Sequence, residues 1–194
     1  NIKVTLPRVR PREEIFAPDD RIIRKLRRFL VAQGLTEVYH WTFSNVEDVT
    51  KAGLPEDYLN MVTLQNPLSE KQATMRSSLI PTLLNNTANN INHGAASLAT
   101  FEIGPIFIPE VGEELPTEKT TLAMAMAGNR GSKYWSAPLE TVDFYDLKGQ
   151  AETLLEFFAC GAKFEAQDFG PLQVGQSAQI KVGKEVIGHF GKVK

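Results

Sequence analysis

The sequence predicts an α+β fold in which helices flank a mainly antiparallel sheet. Residues 177–182 and 185–190 have the composition of strands, and Gly183-Lys184 between them suits a two-residue hairpin turn with glycine first. Residues 119–128 alternate between two faces, as the residues of a strand do. Longer segments elsewhere place apolar residues at helical spacing. Hairpin-joined strands beside a few long helices are typical of the α+β class.

The first predicted helix opens at Pro18-Asp19-Asp20 and ends at Gly34. Acidic residues suit the positive end of a helix, and glycine suits the position after its last turn. The apolar stripe of this helix consists of Ile22, Ile23, Leu26, Phe29 and Leu30. Its opposite side, here called the basic face, consists of Arg21, Arg24, Lys25 and Arg28.

The basic face has two interpretations, and the sequence leaves both open. It is either a solvated or salt-bridged surface, or a contact with RNA phosphate or with an acidic partner. No aromatic residue is interleaved among its cations, which is unlike a protein that binds single-stranded nucleic acid.

Shorter elements follow the first helix. Residues 36–43 are rich in aromatic and β-branched types, which predicts a strand. Ser44 or Asn45 can cap a short helix that ends at Gly53. A short apolar strand is then expected to end at Asn66-Pro67, because proline lacks the backbone donor that a sheet requires.

The second long helix is predicted to begin at Ser78, which can cap it with Pro81 in the third position. His93-Gly94 ends this helix, and a strand follows from residue 98 to about residue 103. The apolar stripe consists of Ile80, Leu83, Leu84, Thr87 and Ile91. The opposite side, here called the amide face, consists of Asn85, Asn86, Asn89 and Asn90.

The amide face is either a solvated surface or a contact with another chain. Amides can form hydrogen bonds across an interface without the desolvation cost of a charge. Asparagine is also a poor helix former, about 0.6 kcal/mol worse than alanine. Because four asparagines on one side weaken the helix, their presence favours a role in contact with another chain.

The second half of the chain begins with an acidic loop over residues 109–116, expected to be exposed. In the strand over residues 119–128, bulky and alanine side chains point to opposite faces, which predicts a central strand with both faces covered. Asp146 is expected to cap a third long helix, in which Gly149 predicts a close backbone contact. Residues 163–169 again have the composition of a strand. The inner stripe of the third long helix is Leu147, Ala151, Leu154, Leu155 and Phe158.

Composition places the chain among ordinary globular proteins. It has 194 residues, 42% hydrophobic and 23% charged, and its net charge of −2 argues against a surface built throughout for nucleic acid. Cys160 is the only cysteine, which excludes an intrachain disulfide and fits a reducing cytoplasm. No apolar run has the length of a membrane span.

No residue pattern predicts catalysis, cofactor binding or a metal site in this chain. The phosphate-binding, dinucleotide-binding, CxxC and GxSxG motifs are all absent. The three histidines, His40, His93 and His189, lack the close spacing of metal ligands, so we interpret them as structural. Glu102 is the one candidate acid, and as a lone strand carboxylate it is expected to be paired or exposed.

Three motifs carry a resemblance to a known family. They are VTLQNPLS at 62–69, MRSSLIP at 75–81 and FEIGPIF at 101–107. Together they resemble the catalytic-like core of the beta chain of phenylalanyl-tRNA synthetase. GLTEV at 34–38 and VDFYDLKG at 142–149 agree with it, so the similarity is co-linear over nearly the whole chain.

The resemblance implies the antiparallel core of class II aminoacyl-tRNA synthetases, here spanning 18–194 and ending before the family's complete core. Residues 1–17 would then be an extended lead-in from a preceding domain. Active class II members continue the FEIG-type strand into an arginine that binds the ATP α-phosphate. Here residues 106–109 read IFIP, and the glycine-rich third motif is also absent.

We therefore expect a non-catalytic scaffold domain that supports the catalytic alpha subunit in a cytoplasmic heterotetramer. The whole enzyme would attach phenylalanine to its tRNA with ATP and magnesium, although this chain would hold no cofactor itself. Two alternatives remain: an RNA-binding module acting through the basic face, and an atypical ATP-dependent adenylating domain.

Overall fold

The computed structural model describes residues 17–131, 135–136 and 138–194. The lead-in predicted for residues 1–17 therefore lies outside the described residues except for Ala17. The helices are α1 Pro18–Ala32, α2 Val46–Lys51, α3 Ile80–Asn92 and α4 Phe144–Phe157. The strands are β1 Thr36–Glu37, β2 Phe43–Ser44, β3 Thr74–Met75, β4 Ser97–Ile108, β5 Thr117–Gly128, β6 Ala162–Ala166, β7 Leu172–Val182 and β8 Glu185–Val193.

The described strands form three small sheets, and all pairs but one are antiparallel. One sheet has the order β1-β4-β5, in which β4 and β5 pair along twelve residues and β1 runs parallel to β4. A second contains β2 and β3, and a third has the order β6-β7-β8. The predicted α+β class and its mainly antiparallel pairing are confirmed, with the strands divided among separate sheets.

The main core lies between α1 and the sheet of β4 and β5. Leu30, Leu35, Phe101 and Ile103 are buried together. Partly buried side chains from α1, β5 and α4 pack around them. Ile23, Leu26, Phe29 and Leu30 of the apolar stripe predicted for the first helix face this core, whereas Ile22 is exposed. Helix α3 contacts both β4 and β5.

Strand β5 is an edge strand among the described residues, so the predicted central position is wrong. The alternation that suggested a central strand is real, because Met124 pairs with the core residue Phe101 while Ala123 pairs with Glu102 on the other face. Strand β4 occupies the centre instead, and it continues to Ile108 rather than ending near residue 103. Pro105 is accommodated because β1 pairs with β4 only as far as Phe101.

The strand predicted for residues 36–43 is broken into β1 and β2. The backbone N–H of His40 points to a side-chain oxygen of Glu102, and the carbonyl of Thr42 accepts from Arg76 N at 2.8 Å. In the segment that joins β1 to β2, these contacts take the place of a continuous ladder of strand hydrogen bonds. Likewise, the strand predicted to end at Asn66-Pro67 is reduced to an isolated bridge between Thr63 and Thr74.

Helix caps follow local chemistry, with small shifts in position. Asn45 caps α2 by accepting from Asp48 N at 2.8 Å, as one of the two predicted alternatives. Ser78 accepts from Ile80 N, but Leu79 occupies the cap position, so Ser78 acts one residue outside α3. The cap of α4 is Asp143 rather than Asp146.

Asp143 and Asp146 form a reciprocal capping box. Asp143 Oδ1 accepts from the backbone of Asp146, and Asp146 Oδ2 accepts from Asp143 N at 2.7 Å. Within the same helix, no atom lies within 4 Å of the position that a Cβ on Gly149 would occupy, so the predicted close contact there is wrong. The hairpin turn at Gly183-Lys184 between β7 and β8 is confirmed.

Candidate functional site

Glu102, the candidate acid, is enclosed in the protein by two partners. Its carboxylate lies on β4 and has no solvent exposure. Oxygen Oε1 accepts from Arg76 Nη1 at 2.7 Å, and Oε2 lies 2.7 Å from His40 Nδ1. The expectation that this carboxylate is paired or exposed is confirmed in its paired form.

Arg76 is positioned by backbone contacts on both sides. It directly follows β3, its N–H donates to Thr42 and its carbonyl accepts from Phe107 N at 3.0 Å. Its side-chain Nε donates to the carbonyl of Pro105 at 2.9 Å. The guanidinium is therefore held against β4 by one carboxylate and one backbone carbonyl.

Gly104 makes room for this guanidinium. A Cβ atom at residue 104 would overlap Arg76 Nη2, so any residue larger than glycine would require the guanidinium to shift from its place on β4. In the sequence, Gly104 stands out only as part of the FEIGPIF motif. Its structural reason is the close approach of a side chain that is remote in sequence.

His40 reaches Glu102 because the segment between β1 and β2 is extended. Alternation turns His40 inward while its neighbours Tyr39 and Trp41 are 81% and 75% exposed. The structural interpretation of His40 is consistent with this placement. The ring nitrogen Nε2 has no hydrogen-bond partner among the described residues, and neither has Arg76 Nη2.

The enclosed cluster of Arg76, Glu102 and His40 connects three segments of the chain. A general acid must reach a substrate, and this carboxylate presents no oxygen to solvent. Further along β4, Ile106, Phe107 and Ile108 supply no charged group. An adenylating enzyme needs cations that stabilise the transferring phosphate, and this stretch lacks them.

The role of Arg76 and the partnership with His40 were not predicted from the sequence. Arg76 was visible only as one letter of the MRSSLIP motif. A signal was present, since a carboxylate in an otherwise apolar strand requires a counter-ion. The identity of that counter-ion could not be read from a single sequence.

The basic face lies on the solvent side of α1, as predicted. Arg21, Arg24, Lys25 and Arg28 are all exposed and line an open groove together with Phe29, Ala32 and Phe157. Phe157 comes from α4, so an aromatic ring does stand beside the cations. Its ring stacks on Phe29 with centroids 4.3 Å apart, and the Lys25 ammonium lies 4.8 Å from its centroid.

The amide face is divided in two by the structure. Asn85 and Asn89 are exposed, whereas Asn86 and Asn90 are half-buried. Asn90 Nδ2 donates to the backbone carbonyl of Asn86 at 2.9 Å and to its side-chain oxygen at 3.2 Å. Two amides are thus partly satisfied within α3, and Asn85 and Asn89 are the ones open to a partner.

Neither a metal-binding cluster nor a membrane-spanning helix occurs in the described part of the chain. Residues 17–131, 135–136 and 138–194 contain no group of three or more His, Cys, Asp or Glu side chains placed to hold a metal ion. None of the helices in those ranges is long and apolar enough to cross a membrane.

Comparison with known families decides where the chain belongs. The family model described as the phenylalanyl tRNA synthetase beta chain CLM domain matches residues 2–194. The chain belongs to this family. The resemblance inferred from the sequence motifs is therefore confirmed.

Curated relatives agree with the family. The chain is 36% identical over 200 residues to the phenylalanine–tRNA ligase beta subunit of Geobacter metallireducens, covering 100% of the chain and 25% of that relative. It is 33% identical over 196 residues to the same subunit of Geobacter sulfurreducens, covering 99% and 24%. For Bacillus subtilis the identity is 30% over 195 residues, covering 100% and 24%. The chain thus spans about a quarter of the length of these relatives.

Proposed function

We propose that this chain is a non-catalytic scaffold domain of a phenylalanine–tRNA ligase beta subunit, built on a class II synthetase-like core. It supports a catalytic alpha subunit within a cytoplasmic heterotetramer. The assembled enzyme attaches phenylalanine to its tRNA with ATP and magnesium. The domain itself binds neither cofactor, and tRNA meets it only through the whole assembly.

The enclosure of Glu102 supports this proposal most directly. Both oxygens of the one candidate acid are occupied, by Arg76 and by His40. Arg76 is itself only 1% exposed, and its guanidinium contacts Glu102 and the carbonyl of Pro105. The groups that could have bound a phosphate or donated a proton instead connect strands to one another.

The two alternatives receive less support. An adenylating site would need exposed cations along β4, where the side chains are apolar. A module for single-stranded RNA would use free aromatic surfaces beside the basic face, and Phe157 is already engaged by Phe29 and Lys25.

The test is phenylalanine-dependent exchange between ATP and pyrophosphate, measured first on the purified chain and then after its co-expression with an alpha subunit of a relative. We expect no exchange by the chain alone, together with co-purification of the two chains. Glu102→Gln serves as the matched variant. Exchange by the chain alone that is lost in Glu102→Gln would contradict the scaffold role, and failure to co-purify would contradict the partnership.

A further inference from the structure

The groove beside the basic face combines a charged rim with an apolar floor. Arg21 and Arg28 stand seven residues apart on α1, so their Cα atoms are about 10.5 Å apart along the helix axis. Phe29 and Ala32, further along α1, line the same groove together with Phe157 of α4. Phe157 remains 42% exposed despite its contact with Phe29. Such a groove offers ionic contacts at its rim and apolar burial on its floor.

The cations of this groove differ in how they are engaged. Lys25 is held over the rings of Phe157 and Phe158, at 4.8 Å and 5.8 Å from their centroids. Within the described ranges, no carboxylate lies within ion-pair distance of Arg21 or Arg28. On the same helix but outside the groove, Arg27 pairs with Glu37 at 2.6 Å.

Arginine favours a particular kind of partner. Its planar guanidinium presents two parallel N–H groups that match both oxygens of a carboxylate or of a phosphate. The overall charge of the chain is −2, so this rim is a local concentration of positive charge on an acidic protein. Charge complementarity therefore calls for an anionic occupant.

The aromatic floor distinguishes a protein occupant from a nucleic acid. Single-stranded nucleic acid is bound by aromatic rings whose faces are free to stack on successive bases. Here two rings line the groove, and they are Phe29 and Phe157, which are stacked on each other, while the Lys25 ammonium covers part of Phe157. The exposed part of Phe157 is better suited to contact with an aliphatic side chain.

We propose that the groove docks an acidic segment of another protein. Carboxylates of that segment pair with Arg21 and Arg28, and an apolar side chain covers Phe157 and Ala32. Two turns of a helix separate the arginines, so a helical segment with glutamates seven residues apart matches their spacing. This inference does not rest on the scaffold function proposed above, because that proposal is argued from the enclosure of Glu102 and not from α1.

The test uses fluorescence anisotropy with three labelled probes. One is a short helical peptide with glutamates seven residues apart and a leucine between them, and the second replaces those glutamates with glutamine. The third is a single-stranded oligouridine of similar length. We expect the acidic peptide to bind at least about tenfold more tightly than either other probe and to weaken as salt is added.

Variants of the chain locate the binding. Arg21→Gln combined with Arg28→Gln should weaken binding of the acidic peptide by about tenfold or more, and Phe157→Ala should also weaken it. Arg27→Gln is the matched control, since it removes one positive charge from the same helix outside the groove. It should leave binding within about twofold. Far-ultraviolet circular dichroism of every variant checks that the fold is retained.

Three results would overturn the proposal. Equal binding of the glutamate and glutamine peptides would remove the ionic recognition. Equal loss in the Arg27→Gln control would reduce the effect to net charge. Tighter binding of oligouridine, lost in the double arginine variant, would assign the groove to nucleic acid instead.

Discussion

Arg76 and Glu102 form an ion pair inside the protein, with Arg76 Nη1 2.7 Å from Glu102 Oε1 and side-chain exposures of 1% and 0%. The pair joins the end of β3 to the middle of β4. Two charges removed from water cost several kcal/mol each, so the attraction between them mainly offsets that cost. The pair as a whole should therefore add little to the free energy of unfolding, whereas removal of either partner alone should lower it strongly.

Replacing Arg76 with methionine should lower the free energy of unfolding by about 3–5 kcal/mol, because the buried carboxylate of Glu102 would lose its guanidinium partner and keep only the contact with His40. Urea unfolding followed by fluorescence measures the change. Arg27→Met is the control, because its pair with Glu37 is exposed and should contribute less than about 1 kcal/mol. A smaller loss for Arg76→Met than for the control would show that the buried pair is dispensable.

Gly104→Ala should destabilise the protein, because the added methyl group would overlap Arg76 Nη2 and push the guanidinium from its place. Overpacking of this kind costs about 1–3 kcal/mol. Gly149→Ala is the matched control within α4, where nothing lies within 4 Å of the new atom. That change should stabilise the helix by about 0.4–1 kcal/mol. Unfolding curves in which both alanines have effects of the same sign would contradict the steric argument.

His189 should make stability depend on pH. Partial burial lowers the pKa of its imidazole, which stacks on Phe169 with centroids 4.3 Å apart. The unfolded chain, with a histidine pKa of about 6.5, therefore binds the proton more readily than the folded chain. The contribution of His189 to stability is complete above that pH and is lost as the pH falls from there through the lower pKa of the folded state.

The measurement compares the wild-type chain with His189→Gln in urea at about pH 7.5 and pH 5.5. The wild type should lose more stability than the variant over that interval. Identical pH profiles for the wild type and His189→Gln would show that this ring does not contribute.

The exposed half of the amide face should matter for assembly and not for folding. Asn85→Ala combined with Asn89→Ala should leave the free energy of unfolding unchanged or raise it, since each alanine favours the helix by about 0.6 kcal/mol. The same variant should weaken association with an alpha subunit, measured by titration calorimetry. Thr153→Ala on α4 is the surface control and should leave the affinity for the alpha subunit unchanged. If the double asparagine variant also leaves that affinity unchanged, these asparagines are simply solvated.

Local signals explain why much of the fold could be predicted. The helix of the basic face, the Asn45 cap and the Gly183-Lys184 turn all depend on residues within a few positions of one another. Their physical causes are equally local: a side chain accepts a nearby N–H, or glycine takes a positive φ. Element boundaries were less accurate, because strand ends depend on which distant segment supplies the hydrogen bonds.

The motifs at 62–69, 75–81 and 101–107 determined the family without any structure, because several co-linear motifs in one chain are highly specific. The sequence also determined that Glu102 would need a partner if it were buried. It could not name that partner.

Only the tertiary structure decided that Arg76 and His40, which are 26 and 62 positions from Glu102, enclose its carboxylate. It also brought Phe157 of α4 beside Lys25 of α1, which turned a charged helix face into a groove with an apolar floor. In both places the deciding energies are the desolvation of charge and the burial of rings between distant segments. Those energies depend on which distant segments pack together, and such contacts leave no periodic pattern in a single sequence.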